Sequence, residues 1–223
     1  MDRIIQDSIF SLDILYHSYP FLSGLAVNDL QFLTMVWNVF LVAVALAFYV
    51  LLKKYWRAGG TLNFFEKLTV IFLFVFWLLF FPNAAYIITD VRHLFNYCPP
   101  GSPYEVCADN AWMIIFFFSY SVLGWVSFYY LLKLMSELVS ERFNKIKPYF
   151  FAALIIPLTS LGVLLGLLNR FNSWDALFSP AALFLTLKFY ATDINYIINW
   201  LVFTGFLYLL YFAGDVIFKK IKI

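Results

Sequence analysis

The chain has 223 residues, of which 64% are hydrophobic and 13% charged, against about 45–50% and about 25% in a soluble domain. Aromatic side chains make up 22%, and formal net charge is only +2. Too few charged groups remain to solvate a surface or follow a phosphate backbone, so a soluble enzyme, a disordered chain and a nucleic-acid-binding protein are all excluded.

In chain order, residues 1–25 carry Asp2, Asp7 and Asp13 between Ile5, Ile9, Leu12 and Tyr16, the spacing of an amphipathic helix lying on a membrane. A crossing there would make six spans and move the N-terminus to the cytoplasm. Charge-free runs of about 20 residues, the length that crosses a bilayer core, follow at about 30–52, 112–132, 149–168 and 196–212. A further run, Leu68 to Phe81, reaches only about 21 Å at about 1.5 Å per residue. It must continue past Pro82 and Asn83 to about residue 88. Ser179-Pro180 has the form of an N-cap and first helical residue, opening an interfacial helix over 180–190. The expected fold is all-α: one integral membrane domain over 1–223, a polytopic bundle of five spans.

Eleven of the fifteen Lys and Arg fall on one set of alternate connections: Lys53, Lys54, Arg57, Lys67, Lys133, Arg142, Lys145, Lys147, Lys219, Lys220 and Lys222. The positive-inside rule puts that side in the cytoplasm, with the N-terminus outside and the C-terminus inside.

Polar chemistry gathers at two places on the expected outer side. Pro82 removes a backbone hydrogen bond, which Asn83 can repair. If the helix resumes at about 100° per residue, Asn83, Tyr86, Asp90 and His93 share an arc of about 80° while Arg92 points elsewhere. The second place is the turn Asn169-Arg170-Phe171-Asn172-Ser173-Trp174-Asp175. One reading is structural: a kink repaired by Asn83, a turn capped at Ser173, and ion pairs Arg170 with Asp90 or Arg92 with Asp175. The other is a site. Asp90, His93 and Asp175 have the chemistry of a divalent-metal set, or of acid and base in catalysis. Asn83, Tyr86, Arg170, Asn172 and Trp174 would line a ligand, with Arg170 holding a phosphate or carboxylate. Cys98 and Cys107 flank a Pro- and Gly-rich turn on the oxidising side, which suits a disulfide. Asn38, Asn199 and Pro157 are read as helix-packing features, and Gly162, Gly166 and Gly124 as points of close helix approach.

These motifs carry a family resemblance. Pro82-Asn83, Tyr86-Ile87, Thr89-Asp90 and His93-Leu94 resemble the signature of the bacterial membrane-protein family called domain of unknown function 1361. Residues Leu168 to Asp175 are similar to its F-x-R-x-N-S-W-D turn, and Trp37-Asn38 with Phe40-Leu41 resembles its W-N-x-F-L. Ala85 stands where that pattern has proline, and Trp112 is followed by Met113 and Ile114 rather than an acidic residue. The resemblance implies a multi-pass protein of the bacterial cytoplasmic membrane and brings no activity with it. The functional expectations are an outward-facing polar site engaging a lipid head group or lipid-linked envelope precursor; a membrane enzyme using the Asp, His and Arg cluster, with or without a divalent metal; or a small-solute transporter or accessory subunit.

Overall fold

In a computed structural model, the described residues are 26–27, 30–57, 63–94, 111–143 and 146–218. The expected surface helix at 1–25 and the expected Cys98–Cys107 disulfide lie outside them. Two-residue strands β1 (Ala26–Val27) and β2 (Leu30–Gln31) pair antiparallel ahead of α1 (Phe32–Arg57). Then come α2 (Phe64–Phe80), α3 (Pro82–Thr89), a 3-10 turn (Asp90–Leu94), α4 (Trp112–Arg142), α5 (Pro148–Asn169), α6 (Asp175–Phe178), α7 (Pro180–Thr192) and α8 (Ile194–Phe218). Among the described residues five helical segments are long and apolar enough to cross a membrane: Phe32–Trp56, Phe64–Leu94, Trp112–Arg142, Pro148–Asn169 and Ile194–Phe218.

Their ends differ from the charge-free runs for local reasons. α2 starts at Phe64, not 68, because a capping box closes there: the Asn63 side chain accepts from Glu66 N at 2.9 Å and Glu66 accepts from Asn63 N at 2.8 Å. Two of the orphan donors of the first turn are thereby satisfied. α4 passes Lys133 and continues to Arg142, burying Leu131, Leu132, Met135, Leu138 and Val139. These recur every three to four residues, so one apolar stripe persists after the charges return. α7 opens at Pro180 as expected, but the Ser179 side chain makes no capping bond.

The second span breaks at Pro82. Ala84 N turns to Phe81 O at 3.1 Å, an i to i+3 contact, and Asn83 Nδ2 donates to Phe80 O at 2.8 Å. The side chain thus takes over the carbonyl that the tightened turn abandons. Beyond the break, α3 packs against α1, α4 and α5. Small residues permit this central position. A Cβ at Gly124 of α4 would lie 2.8 Å from Ile87, one at Gly162 of α5 would lie 2.8 Å from the Pro82 ring, and one at Gly166 would lie 3.3 Å from the Tyr86 ring.

Pro157 leaves α5 continuous but removes one of its backbone hydrogen bonds. Its missing N–H frees the carbonyl of Ala153, which accepts from Tyr208 Oη at 2.6 Å. Nearby, Trp200 Nε1 donates to Pro157 O at 2.9 Å and Ser160 Oγ to Trp200 O at 3.2 Å. The α5–α8 seam is therefore a ladder of side-chain donors on backbone acceptors. Asn199, expected as packing glue, instead bonds Asn195 O of its own helix on an exposed face.

The core beneath α3 is aromatic. Trp77 stacks on Phe81 with centroids 4.7 Å apart, and Phe81 on Phe128 at 5.6 Å. All three are buried, as are Leu132 and Ile156 in the same cluster.

Candidate polar site at one end of the bundle

α3 runs into the 3-10 turn at Asp90, and this changes which side chains meet. A 3-10 turn eclipses residues three apart, so His93 comes over Asp90, with Nε2 4.0 Å from Oδ1. Arg92, expected to point away, joins them: Nε donates to His93 Nε2 at 3.2 Å and Nη2 to Tyr86 Oη at 3.2 Å. Its guanidinium lies 5.7 Å from the Tyr86 ring centre, within cation–π range. His93 also faces Phe117, with centroids 6.4 Å apart.

Asp90 is only 1% exposed. A carboxylate that deep demands partners, and one comes from the first span: Asn38 Nδ2 donates to Asp90 Oδ2 at 3.2 Å. Asn38 is itself 7% exposed. The same wall is fixed by Tyr120 Oη donating to Met35 O at 3.2 Å and by Ser121 Oγ donating to Ile88 O at 3.3 Å. Sequence reasoning makes Asn38 a packing residue and misses that its amide holds Asp90. The W-N-x-F-L motif is the available signal, since it sets a polar side chain in an otherwise apolar first span.

The turn after α5 is brought against this cluster. Asn83 Nδ2 donates a second bond to Ser173 Oγ at 2.8 Å, and the Trp174 ring packs edge-on to Trp37 with centroids 6.1 Å apart. All three sequence motifs therefore meet at one end of the bundle. Ser173 is not the expected cap. That task falls to Asp175, whose carboxylate accepts from Asn172 N at 2.6 Å and lies 3.5 Å from Asn172 Nδ2. It is 6% exposed and stays with its own turn. Among the described residues no group of three His, Cys, Asp or Glu side chains is placed to hold a metal, so Asp90, His93 and Asp175 do not assemble as a ligand set. The cause is local: a backbone amide three residues away engages the Asp175 carboxylate.

Neither expected cross-pair, Arg170 with Asp90 or Arg92 with Asp175, forms among the described residues. Arg170 caps α5 in the left-handed region, φ 58° and ψ 29°, and no other non-glycine residue described has positive φ. Phe171 N closes the turn on Leu165 O at 3.2 Å. Glycine is the usual occupant there, and an L side chain costs about 1–2 kcal/mol. A cation gains about 0.3–1 kcal/mol from the dipole of a helix C-terminus, which does not offset that cost. The Arg170 side chain is exposed. Next to it, Asn169 Oδ1 accepts from Tyr190 Oη of α7, and burial pushes the Tyr190 phenol up. The Trp174 Nε1 hydrogen is buried with no acceptor among the described residues.

The family profile of "Protein of unknown function (DUF1361)" matches residues 37–211, from Trp37 of the first motif to Tyr211 of the last span. The chain belongs to this family. No curated protein and no solved structure matches it. Ala85 is a buried residue inside an unbroken α3.

Proposed function

We propose that this is a multi-pass membrane protein, N-terminus out and C-terminus in the cytoplasm, whose polar cluster engages the head group of a lipid or lipid-linked envelope precursor at the outer leaflet. The observation that carries the reading is the buried Asp90 carboxylate, held by Asn38 across two spans and bordered by the half-buried His93, Arg92 and Tyr86. Ionisable groups in a membrane-spanning helix are costly and are kept where they face a polar occupant. This one sits near the end of the second span, in the 3-10 turn that closes it. The stacked Trp77, Phe81 and Phe128 rings fill the space behind it, which supports a binding site over a solute conduit.

The test is purification of the full chain in lipid and native mass spectrometry of what travels with it. Wild type should carry a defined lipid species that Asp90→Asn and His93→Gln carry less of. An empty wild-type protein would end the reading in favour of an accessory subunit.

A second reading, a membrane enzyme, is favoured by the approach of His93 Nε2 to Asp90 Oδ1, at 4.0 Å. A carboxylate and an imidazole share proton-transfer work once they close to about 2.6–3.2 Å, which here requires His93 Nε2 to leave Arg92 Nε. Turnover of the co-purified lipid by wild type, lost in His93→Gln while binding persists, distinguishes it.

A further inference from the structure

Taking the head-group reading as its basis, we propose that the turn after α5 is a phosphate subsite in which Arg170, with Arg92 opposite, neutralises the anion and the Trp174 indole N–H supplies a further donor. The two arginines belong to one rim. Arg92 lies on the Tyr86 ring, and that ring packs against Gly166, one helical turn before Arg170. Among the described residues no carboxylate comes within ion-pairing distance of either guanidinium. The two nearby acids are committed elsewhere, Asp90 to Asn38 and Asp175 to the Asn172 amide. The Arg170 charge is therefore met by no carboxylate among the described residues, while the Arg92 charge interacts with Asp90 without an ion-pair contact, and a phosphate ester on an amphiphile answers the charge left at this rim.

Two further features fit that occupant. Arg170 holds a left-handed backbone conformation that glycine would take without strain, so its side chain is kept at the expense of the turn. The Trp174 N–H is a buried donor without an acceptor among the described residues, and a phosphoryl oxygen is an acceptor of the right kind. An uncharged head group, such as that of a diacylglycerol, answers neither the charge nor the strain.

The experiment is thermal unfolding of the full chain in neutral detergent with dioctanoyl phosphatidic acid, dioctanoylglycerol or inorganic phosphate. Phosphatidic acid should raise the wild-type midpoint and dioctanoylglycerol should not. Inorganic phosphate matching phosphatidic acid would assign the subsite to free phosphate, and a shift with phosphatidic acid alone would assign it to a lipid head group. Arg170→Gly should unfold no earlier than wild type without ligand and lose about tenfold in affinity for the phosphate probe. Trp174→Phe, which deletes the N–H and keeps the aromatic wall, should lose several-fold. Unchanged affinity in both variants, equal shifts from dioctanoylglycerol and phosphatidic acid, or an early-melting Arg170→Gly alongside an unaffected Trp174→Phe would each overturn the subsite. Loss of lipid binding in Asp90→Asn with none in Arg170→Gly would remove the subsite and leave the head-group reading standing. Absence of any shift in wild type would remove both.

Discussion

The Asn38 amide of the first span donates to the Asp90 carboxylate at the end of the second, at 3.2 Å across 52 residues of sequence. The bond ties α1 to the 3-10 turn and gives one oxygen of a nearly inaccessible acid a protein donor. Asn38→Leu should therefore lower stability by about 1–3 kcal/mol, the usual cost of stranding a buried polar group. Asp90→Leu added to Asn38→Leu should cost less than it does alone. A double-mutant cycle in detergent unfolding should return a coupling near 1 kcal/mol; additive losses would mean the pair is not energetically linked.

The glycines make a graded prediction. At Gly124 a Cβ would meet the Ile87 side chain at 2.8 Å and the Ala84 carbonyl oxygen at 3.0 Å. Backbone must shift, and Gly124→Ala should cost about 1–3 kcal/mol. Gly166→Ala meets the Tyr86 ring edge at 3.3 Å and the Phe171 carbonyl oxygen at 3.5 Å, an ordinary contact distance, and should cost less. Gly205 has open space, so its alanine variant should gain about 0.5–1 kcal/mol from helix propensity. Melting curves of the three variants should keep this order.

At Pro157 of α5 the carbonyl of Ala153 depends on the Tyr208 hydroxyl because the proline supplies no N–H. Tyr208→Phe should cost about 0.6–1.7 kcal/mol in the wild-type chain. In Pro157→Ala, where the helix can supply its own donor, it should cost close to nothing. An equal cost in both backgrounds would show that the hydroxyl does not stand in for the missing N–H.

The proposed orientation rests on the charge asymmetry and is tested by chemistry on whole cells. With Cys98 and Cys107 replaced by serine, Arg170→Cys should react with an impermeant maleimide added outside. Glu141→Cys, at the exposed far end of α4, should react only after permeabilisation. Reversed reactivity would put the polar cluster on the cytoplasmic side.

The spans are legible in the sequence because a charge-free run of bilayer length suits little except a membrane crossing. Pro157, Gly124 and Gly162 are likewise legible as places where helices depart from or approach one another. The ends are harder. α4 extends to Arg142 on a buried stripe that a search for uncharged residues stops short of, and α2 begins at a capping box that such a search ignores. Site geometry is harder again. Carrying about 100° per residue past Thr89 misplaces Arg92, because the chain tightens to a 3-10 turn at Asp90. A long-range role for Asp175 overlooks its spacing from Asn172, which makes it a local cap. The left-handed backbone at Arg170 has no sequence signal, since arginine is not a residue that announces positive φ.

The central claim, that the cluster around Asp90 and the turn from Asn169 to Asp175 together receive a head group, is most directly tested by a phospholipid with a photoreactive label on its head group. After irradiation of the full chain in lipid and mapping of labelled peptides, label should concentrate in residues 83–94 and 169–175, and Asp90→Asn should reduce it at both. Label confined to the Lys133 end of the bundle, or unchanged in Asp90→Asn, would contradict the account.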